Sequence, residues 1–309
     1  MTPGFHLALP PGPVLILGGS STLGMALGGA LQRAGLPVAL AVRNETGAER
    51  VRAVLPQAAI LWLDGESTDP ARSPATLCQR CETALGAPVR HMADLMHSRY
   101  ESLLAGGAPD DISRWATNDI GLRALLLRDM ARTMLAQRAG RCVFVSSTAA
   151  DRPAPGQAFY AAAKLAGEAL YTSLGLELGA RGITTCSLRL GWLDAGRGTN
   201  FLATRLPAHA HPEQLPRHGK ATAPPATSAD FTQPSGENAP GATTSEAAPS
   251  GLAFPSGQGR ATSAIPLGRT TSLHEAVQAL LYLFSVPAVA HNATVLTMDG
   301  GFSALKPTL

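Results

Sequence analysis

A short apolar run followed at once by a glycine-rich turn and a helical segment most constrains the fold of this chain. Residues 14–17 are Val-Leu-Ile-Leu and predict a buried strand, and the turn at residues 18–24 reads Gly-Gly-Ser-Ser-Thr-Leu-Gly. Residues 25–34 have helix-forming composition, and Gly35 ends that helix. Glycines allow a backbone to approach a pyrophosphate, whose charge the N-terminus of a helix favours. This unit indicates a nucleotide site or, alternatively, a tight turn that binds nothing.

Strands and helices alternate along the rest of the chain, and most of the strands are almost entirely apolar. The predicted strands lie at residues 14–17, 38–42, 59–63, 88–92, 142–145, 183–190 and 294–298. The predicted helices lie at residues 25–34, 46–55, 73–85, 112–138, 157–180 and 273–284. Apolar strands joined by helical crossovers are typical of a parallel sheet with both faces covered. We therefore predict an α/β fold built on a doubly wound parallel sheet of about seven strands.

One long segment departs from this alternation. Between residues 207 and 263, Ala, Thr, Ser, Pro and Gly dominate, and large side chains are rare. Such a segment cannot bury enough apolar surface to offset its ordering entropy, and it is too long for an ordinary loop. We predict a disordered insertion at 207–263, an N-terminal extension at 1–13, the fold core at 14–206 and its C-terminal part at 264–309. Deletion of residues 219–259 should therefore leave the fold intact.

Composition argues against several classes of protein. The net charge of +3 and the scattered basic residues argue against nucleic-acid binding. No apolar run reaches the roughly 18 residues of a membrane helix, and residues 1–13 lack the charged start of a signal peptide. Four cysteines without such a signal favour a cytoplasmic setting. A single Cys78-Gln79-Arg80-Cys81 motif predicts ordinary helix residues rather than a metal or redox site.

Three polar residues after the fifth predicted strand could converge on one point. Tyr160 and Lys164 are four residues apart and would share a helix face, and Ser147 lies 13 residues before Tyr160 across a Pro/Gly loop. A phenol, an ammonium and a hydroxyl can exchange a proton with a carbonyl or alcohol oxygen. The ammonium would favour the phenolate and lower the tyrosine pKa from about 10. The alternative is a helical tyrosine that fills a gap in the core.

The end of the second predicted strand carries Arg43-Asn44 instead of an acidic residue. In dinucleotide-binding sheets, an acidic residue at this place binds the ribose hydroxyls of NAD, whereas an arginine nearby accommodates the 2′-phosphate of NADP. We therefore predict NADP(H) as the cofactor. The alternative is a solvated surface arginine.

Taken together, these motifs resemble the short-chain dehydrogenase/reductase family of the single-domain type, and most closely its 3-oxoacyl-[acyl-carrier-protein] reductases. The resemblance covers the chain apart from its first dozen residues and the insertion. Ser147, Tyr160 and Lys164 match the family's catalytic Ser and Tyr-x-x-x-Lys pair. Thr117-Asn118-Asp119-Ile120-Gly121 matches the segment with the family's catalytic Asn. The sequence Met298-Asp299-Gly300-Gly301 matches a C-terminal landmark.

The resemblance implies a Rossmann fold and an NADPH-dependent oxidoreductase that reduces a ketone, of β-ketoacyl or polyketide-like type, to an alcohol. Tyr160 would be the general acid, and Lys164 would lower its pKa and hold the nicotinamide ribose. Ser147 would bind the substrate oxygen, and Asn118 would position a water. The substrate would be a small molecule or a carrier-protein-bound carbonyl compound, and the segment around the insertion would cover it. The family is commonly a homo-oligomer, a dimer or a tetramer, and no metal is expected.

The expected cofactor-binding residues come from the turn, the strand ends and the family pattern. They are Gly18, Ser20, Ser21, Thr22, Leu23, Gly24, Arg43, Asn44, Asp64, Gly65, Ala93, Tyr160, Lys164, Gly191 and Leu193.

Several positions depart from the family pattern. Thr22 replaces a glycine of the turn, so we expect the turn to be shaped differently or the hydroxyl to contribute. His91-Met92-Ala93-Asp94 replaces Asn-Asn-Ala-Gly, and Leu190-Gly191 replaces Pro-Gly. These changes leave open a non-catalytic NADP-binding subunit or sensor. A nucleotide-sugar epimerase or dehydratase is also open, because residues 164–168 and 188–190 have some of that character.

Overall fold

The structure is a computed structural model that describes residues 7–97, 100–196 and 265–304, so the predicted insertion lies outside the described residues. Seven parallel strands form one sheet in the order β3-β2-β1-β4-β5-β6-β7. The strands are β1 (Val14–Leu17), β2 (Val38–Val42), β3 (Ala59–Trp62), β4 (His91–Asp94), β5 (Gly140–Ser147), β6 (Ile183–Leu190) and β7 (Thr294–Met298). This confirms the predicted doubly wound α/β sheet.

Helices cover both faces of the sheet. They are α1 (Thr22–Arg33), α2 (Glu45–Val54), α3 (Leu77–Leu85), α4 (Pro109–Trp115), α5 (Leu122–Gln137), α6 (Ala158–Leu178) and α7 (Leu273–Phe284). Alternate residues of each strand point to opposite faces. One core therefore joins Val14 and Ile16 to α1, α2 and α7, and the other joins Leu15 and Leu17 to α3, α5 and α6. Within the described residues, no helix has the length and apolar character that crossing a membrane requires.

The direction in which successive strands are added to the sheet reverses between β1 and β4, and the candidate site lies at this point. In the sheet, Leu17 pairs with Ala41 of β2 and with Asp94 of β4. The turn after β1 and the segment after β4 therefore leave the sheet at the same edge. Ligands of open α/β sheets bind at such a switch point, outside the carboxyl ends of the strands.

Two of the differences between the predicted and the observed bounds bear on the site. The predicted strand at 88–92 is instead His91–Asp94. A buried strand can begin and end with these polar residues because both side chains have partners inside the fold: His91 Nε2 lies 2.9 Å from the Pro10 carbonyl oxygen, and Asp94 forms an ion pair with Arg123. The single helix predicted at 112–138 is instead α4, a π-helical turn (Ala116–Gly121) and α5. A π turn adds a residue to the helical repeat, which hydrophobic spacing does not reveal, and such turns are frequent at functional sites.

Hydrogen bonds join the residues just before the undescribed segment to the residues just after it. Leu193 and Thr271 form an isolated bridge, and the Asp194 amide donates to the Thr271 carbonyl at 3.0 Å. The Leu273 amide donates to Asp194 Oδ1 at 2.8 Å, which satisfies a free amide of the first turn of α7. Contacts between described residues therefore fix where α7 begins.

Candidate active site

A cavity of about 770 Å³ lies along the switch point. This volume suits a small molecule or a cofactor. Its walls come from the turn after β1, the ends of β2 and β3, the segment after β4, and α4 with the π turn. The predicted site residues that line it are Gly18, Ser20, Ser21, Thr22, Arg43, Asp64, Gly65 and Asn118.

The glycine turn is shaped by Gly18 rather than by the position that Thr22 occupies. Gly18 has a φ of +73°, and a Cβ there would lie 3.0 Å from the Leu95 carbonyl oxygen. Thr22 is the first residue of α1, and Ser21 caps that helix by accepting from the Gly24 amide at 3.0 Å. Thr22 therefore needs no left-handed conformation, which removes the conflict expected from the sequence. The N-terminus of α1 opens on the cavity and suits an anionic group.

Two arginines line the cavity, one directly after β2 and one on α2. Arg43, which the sequence analysis selected, lines it together with Arg50 of α2, which it did not. Asn44 does not line the cavity. Its side chain instead caps α2, accepting from the Gly47 amide at 3.0 Å. Two cations from neighbouring elements in the wall of a cavity suit a phosphate monoester.

The wall formed by the end of β3 contacts the π turn. Asp64 Oδ1 accepts from the Glu66 amide at 3.2 Å, and Glu66 Oε1 accepts from Asn118 Nδ2 at 2.6 Å. A Cβ on Gly65 would lie 3.2 Å from Asn118 Oδ1, so glycine allows this close approach. The structure thus directs the Asn118 side chain towards the end of β3.

The predicted acid–base residues lie at the same edge of the sheet. Lys164 Nζ is 5.8 Å from the centre of the Tyr160 ring, one helical turn away on α6. Lys164 is only 4% exposed and donates to the carbonyls of Val145 at 2.7 Å and Met96 at 3.0 Å. Ser147 ends β5, and its Oγ accepts from the Ala149 amide at 3.2 Å. Burial, followed by the charge of Arg123, lowers the pKa of Lys164 to about 7.

Met96 connects these residues to the cavity, since it lines the cavity and accepts a hydrogen bond from Lys164. The other predicted site residues do not line the cavity; they are Leu23, Gly24, Asn44, Ala93, Ser147, Tyr160, Lys164, Gly191 and Leu193. Some of these have a clear packing role. Ala93 is fully buried within β4, and a Cβ on Gly191 would lie 2.7 Å from Asp299.

An aromatic cluster beside the cavity was not predicted. The ring of Phe159 lies 4.7 Å from that of Tyr100 and 5.2 Å from that of Trp115, centre to centre. Tyr100 and Trp115 line the cavity, and the Trp115 indole nitrogen is buried without a hydrogen-bond partner. A single sequence gave no signal for this cluster, because residues 100, 115 and 159 are far apart in the chain.

Two ion pairs behind the site were also missed. Arg123 Nε donates to Asp94 Oδ2 at 2.7 Å, and Arg189 donates to both carboxylate oxygens of Glu168 at 2.7 Å. Glu168 also accepts from Ser146 Oγ at 2.5 Å. The second pair joins the two stretches whose sequences had the character of an epimerase or dehydratase.

Residues 119–205 match the family model for short chain dehydrogenases. A short chain dehydrogenase of Pseudocercospora fijiensis (strain CIRAD86) is 29% identical over 192 residues, and the match spans 60% of each protein. A solved structure of a short chain dehydrogenase/reductase family protein superposes with a TM-score of 0.69 at 19% identity, covering 95% of this chain and 97% of that one. At this identity, the last comparison shows the fold alone.

Proposed function

Because the family model, the curated relative and the fold together support membership of the short-chain dehydrogenase/reductase family, we propose that this protein is an NADPH-dependent oxidoreductase that reduces a ketone to an alcohol. The proposed substrate is a β-ketoacyl or polyketide-like carbonyl compound, free or carried by an acyl carrier protein. The protein would act in the cytoplasm as a homo-oligomer. The match covers only 60% of the curated relative, so the activity rests on the site itself.

The site has the features that a dinucleotide would need. Gly18, in a left-handed conformation, shapes the turn that lines the cavity, and the N-terminus of α1 with Ser21 and Thr22 would receive the pyrophosphate. Asp64 and Gly65 would bound the adenine. When bound, a nicotinamide cofactor supplies the hydride. These residues of the chain would therefore bind and orient the cofactor at the switch point.

The proposed preference for NADPH over NADH depends on charge. Arg43 and Arg50 both line the cavity, and both would attract a 2′-phosphate. The end of β2 carries no acidic residue that would repel it. Two arginines at this place support NADP(H) rather than NAD(H).

The chain's own residues would handle the proton. Tyr160 would donate a proton from its phenol oxygen to the carbonyl oxygen of the substrate, and Ser147 Oγ would hydrogen-bond that same oxygen. Lys164 would stabilise the phenolate of Tyr160 through its positive charge. Asn118 would position a water, although in the structure its amide binds Glu66.

One observation carries the proposal: Lys164 and Tyr160 share one face of α6, with the Lys164 nitrogen 5.8 Å from the phenol ring. Tyr160→Phe should reduce turnover in NADPH-dependent reduction by roughly 10²–10⁴-fold while leaving NADPH binding intact. The measurement is NADPH absorbance with a panel of β-ketoacyl thioesters. Tyr282→Phe is the matched control, because Tyr282 of α7 forms a hydrogen bond with His291 and does not line the cavity. Unchanged turnover in Tyr160→Phe would rule out this mechanism.

A second candidate is an NADP-binding subunit or sensor without activity. It is favoured by the observation that two hydrogen bonds of Lys164 go to backbone carbonyls and that Ser147 and Tyr160 do not line the cavity. Binding of NADPH without turnover across the whole panel would support this candidate and refute the reductase.

A further inference from the structure

A buried ion pair lies directly behind the acid–base residues, where β4 ends. Arg123 of α5 and Asp94 of β4 are joined at 2.7 Å, and their side chains are 2% and 1% exposed. Charges buried this deeply need a partner, because loss of either one leaves the other uncompensated. The end of β4 therefore carries a fixed positive and a fixed negative charge beside the site.

The ion pair holds both backbone polar groups of one residue. Asp94 Oδ1 accepts from the Met96 amide at 2.9 Å, and Arg123 Nη2 donates to the Met96 carbonyl at 3.2 Å. Arg123 Nη1 also donates to the Asp119 carbonyl in the π turn at 2.6 Å. The pair thus fixes the conformation of the segment after β4 and ties it to the π turn.

Lys164 uses the carbonyl that Arg123 holds. Its Nζ lies 3.0 Å from the Met96 oxygen, so the ammonium and the guanidinium converge on one acceptor. Both cations also lie 4.9 Å from the centre of the Phe144 ring. Arg123 is therefore close enough to Lys164 for its charge to matter, in surroundings that exclude water.

Charged and titratable groups face Lys164 from four elements: Asp94 at the end of β4, Asp119 in the π turn, Arg123 on α5, and Tyr160 and Glu168 on α6. Burial is the largest cause of its lowered pKa, and Arg123 is the largest contribution from a charge. Asp94, Asp119 and Glu168 oppose both effects. The protonation of Lys164 therefore reflects a balance in which Arg123 and Asp94 act in opposite directions.

We propose that Arg123 and Asp94 are positioning residues for Lys164: they fix the Met96 carbonyl that receives its ammonium, and their opposite charges together set the charge of Lys164. Only the catalytic consequence rests on the proposed function. If Lys164 assists Tyr160, the pair sets the pH range over which that assistance is available.

The chain suits a direct test, because its 309 residues include only three lysines, Lys164, Lys220 and Lys306. Lysine labelled with ¹³C at Cε gives three NMR signals, which Lys220→Arg and Lys306→Arg assign. The Lys164 signal should titrate near 7. Asp94→Asn should lower that value and Arg123→Gln should raise it, each by about one unit or more.

The opposite directions of the two Lys164 pKa shifts distinguish this proposal from a purely structural role of the ion pair. If the pair only supported packing, both variants would loosen the site and raise the pKa of Lys164 towards about 10.4. A shift in the same direction in both variants, or no shift, overturns the proposal. Arg128→Gln and Asp129→Asn, which alter a partly exposed ion pair on the same helix α5, should leave the Lys164 signal unchanged.

If Asp94→Asn does not fold by itself, the double variant Asp94→Asn/Arg123→Gln decides, because it leaves no unpaired buried charge. Its Lys164 pKa should lie below that of Arg123→Gln, since it lacks the Asp94 carboxylate that favours the charged lysine. If Arg123→Gln does not fold, Asp94→Asn decides alone, because its lowered Lys164 pKa is the opposite of the rise that loosening would cause. In either case, an equal or higher Lys164 pKa contradicts the proposal.

The NMR titration tests the role of Arg123 and Asp94, and the activity assay tests the proposed reductase, so either proposal can be refuted without the other. If the Lys164 signal shifts as expected but no substrate is reduced, the charge assignment stands and the reductase proposal falls. If reduction occurs and the signal does not respond to the pair, only the role of Arg123 and Asp94 is refuted. Where both hold, the pH above which reduction declines should move with the Lys164 value in each variant.

Discussion

At the scale of single residues, two arginines of α2 show how a helix assigns different roles to neighbours of the same type. Arg50 lines the cavity, whereas Arg52 forms an exposed ion pair with Glu45. A helix has 3.6 residues per turn, so side chains two residues apart leave on nearly opposite sides. The sequence marks both residues as basic, and only the docking of α2 against the sheet determines which one meets the cavity.

Arg50 and Arg52 provide a matched test of cofactor preference, because only Arg50 lines the cavity. Arg50→Gln should weaken NADPH binding about tenfold or more, because it removes a proposed charged partner of the 2′-phosphate, and should change NADH binding much less. Arg43→Gln should act in the same direction. Fluorescence titration with both cofactors measures the effect.

Arg52→Gln is the control for this test and should leave both affinities unchanged. Equal weakening of NADPH and NADH binding in Arg50→Gln would argue against a phosphate contact, and so would an unaltered affinity for both.

At the scale of elements, the position of α6 over the sheet decides where Tyr160 and Lys164 lie. Gly167 allows α6 to approach β5 closely, since a Cβ there would lie 2.4 Å from Phe144 Cζ. The Phe144 ring also stacks on Tyr171, with centres 5.1 Å apart. A clash at Gly167 would therefore displace the helix that carries Tyr160 and Lys164.

Gly167→Ala should destabilise the fold by about 1–3 kcal/mol because of this overpacking. Intrinsic helix propensity alone predicts the opposite sign, since alanine is favoured over glycine by about 1 kcal/mol. Urea unfolding measures the difference.

Gly121→Ala is the matched control, because the nearest atom to its new Cβ is the Ala116 carbonyl oxygen at 3.8 Å. It should be neutral or stabilising. A Gly167→Ala protein as stable as the wild type would show that α6 can shift without loss.

At the scale of the whole molecule, hydrogen bonds join the residues on the two sides of the undescribed segment directly to each other. Trp192 accepts from the Thr271 amide at 2.9 Å, and Asp194 receives the Leu273 amide. These bonds tie the end of β6 to the start of α7. The register of the C-terminal part therefore does not depend on the length of the connection between them.

Deletion of residues 219–259 should change the free energy of unfolding by less than about 1 kcal/mol, because closure entropy varies only slowly with loop length. The unfolding midpoint and NADPH affinity should both be retained. Asp194→Ala, which removes the acceptor of the Leu273 amide, should by contrast lower stability. Loss of the folded state on deletion would contradict the prediction.

Local periodicity in the sequence determined the architecture of this protein. The side chains of a helix and of a strand repeat with different periods, and each period is visible within a few residues of sequence. These periods revealed the alternation of apolar strands with helices, the glycine turn after β1 and the spacing of Tyr160 and Lys164. These features predicted the parallel sheet, its binding edge and the shared face of α6.

Only the tertiary structure decided which side chains meet. The π turn directs Asn118 to Glu66, Arg50 rather than Asn44 lines the cavity, and Arg123 joins Lys164 at the Met96 carbonyl. Each of these contacts joins residues from separate elements. Their geometry depends on strand order and on shifts of about one residue in a helix or strand, to which hydrophobic patterning is insensitive.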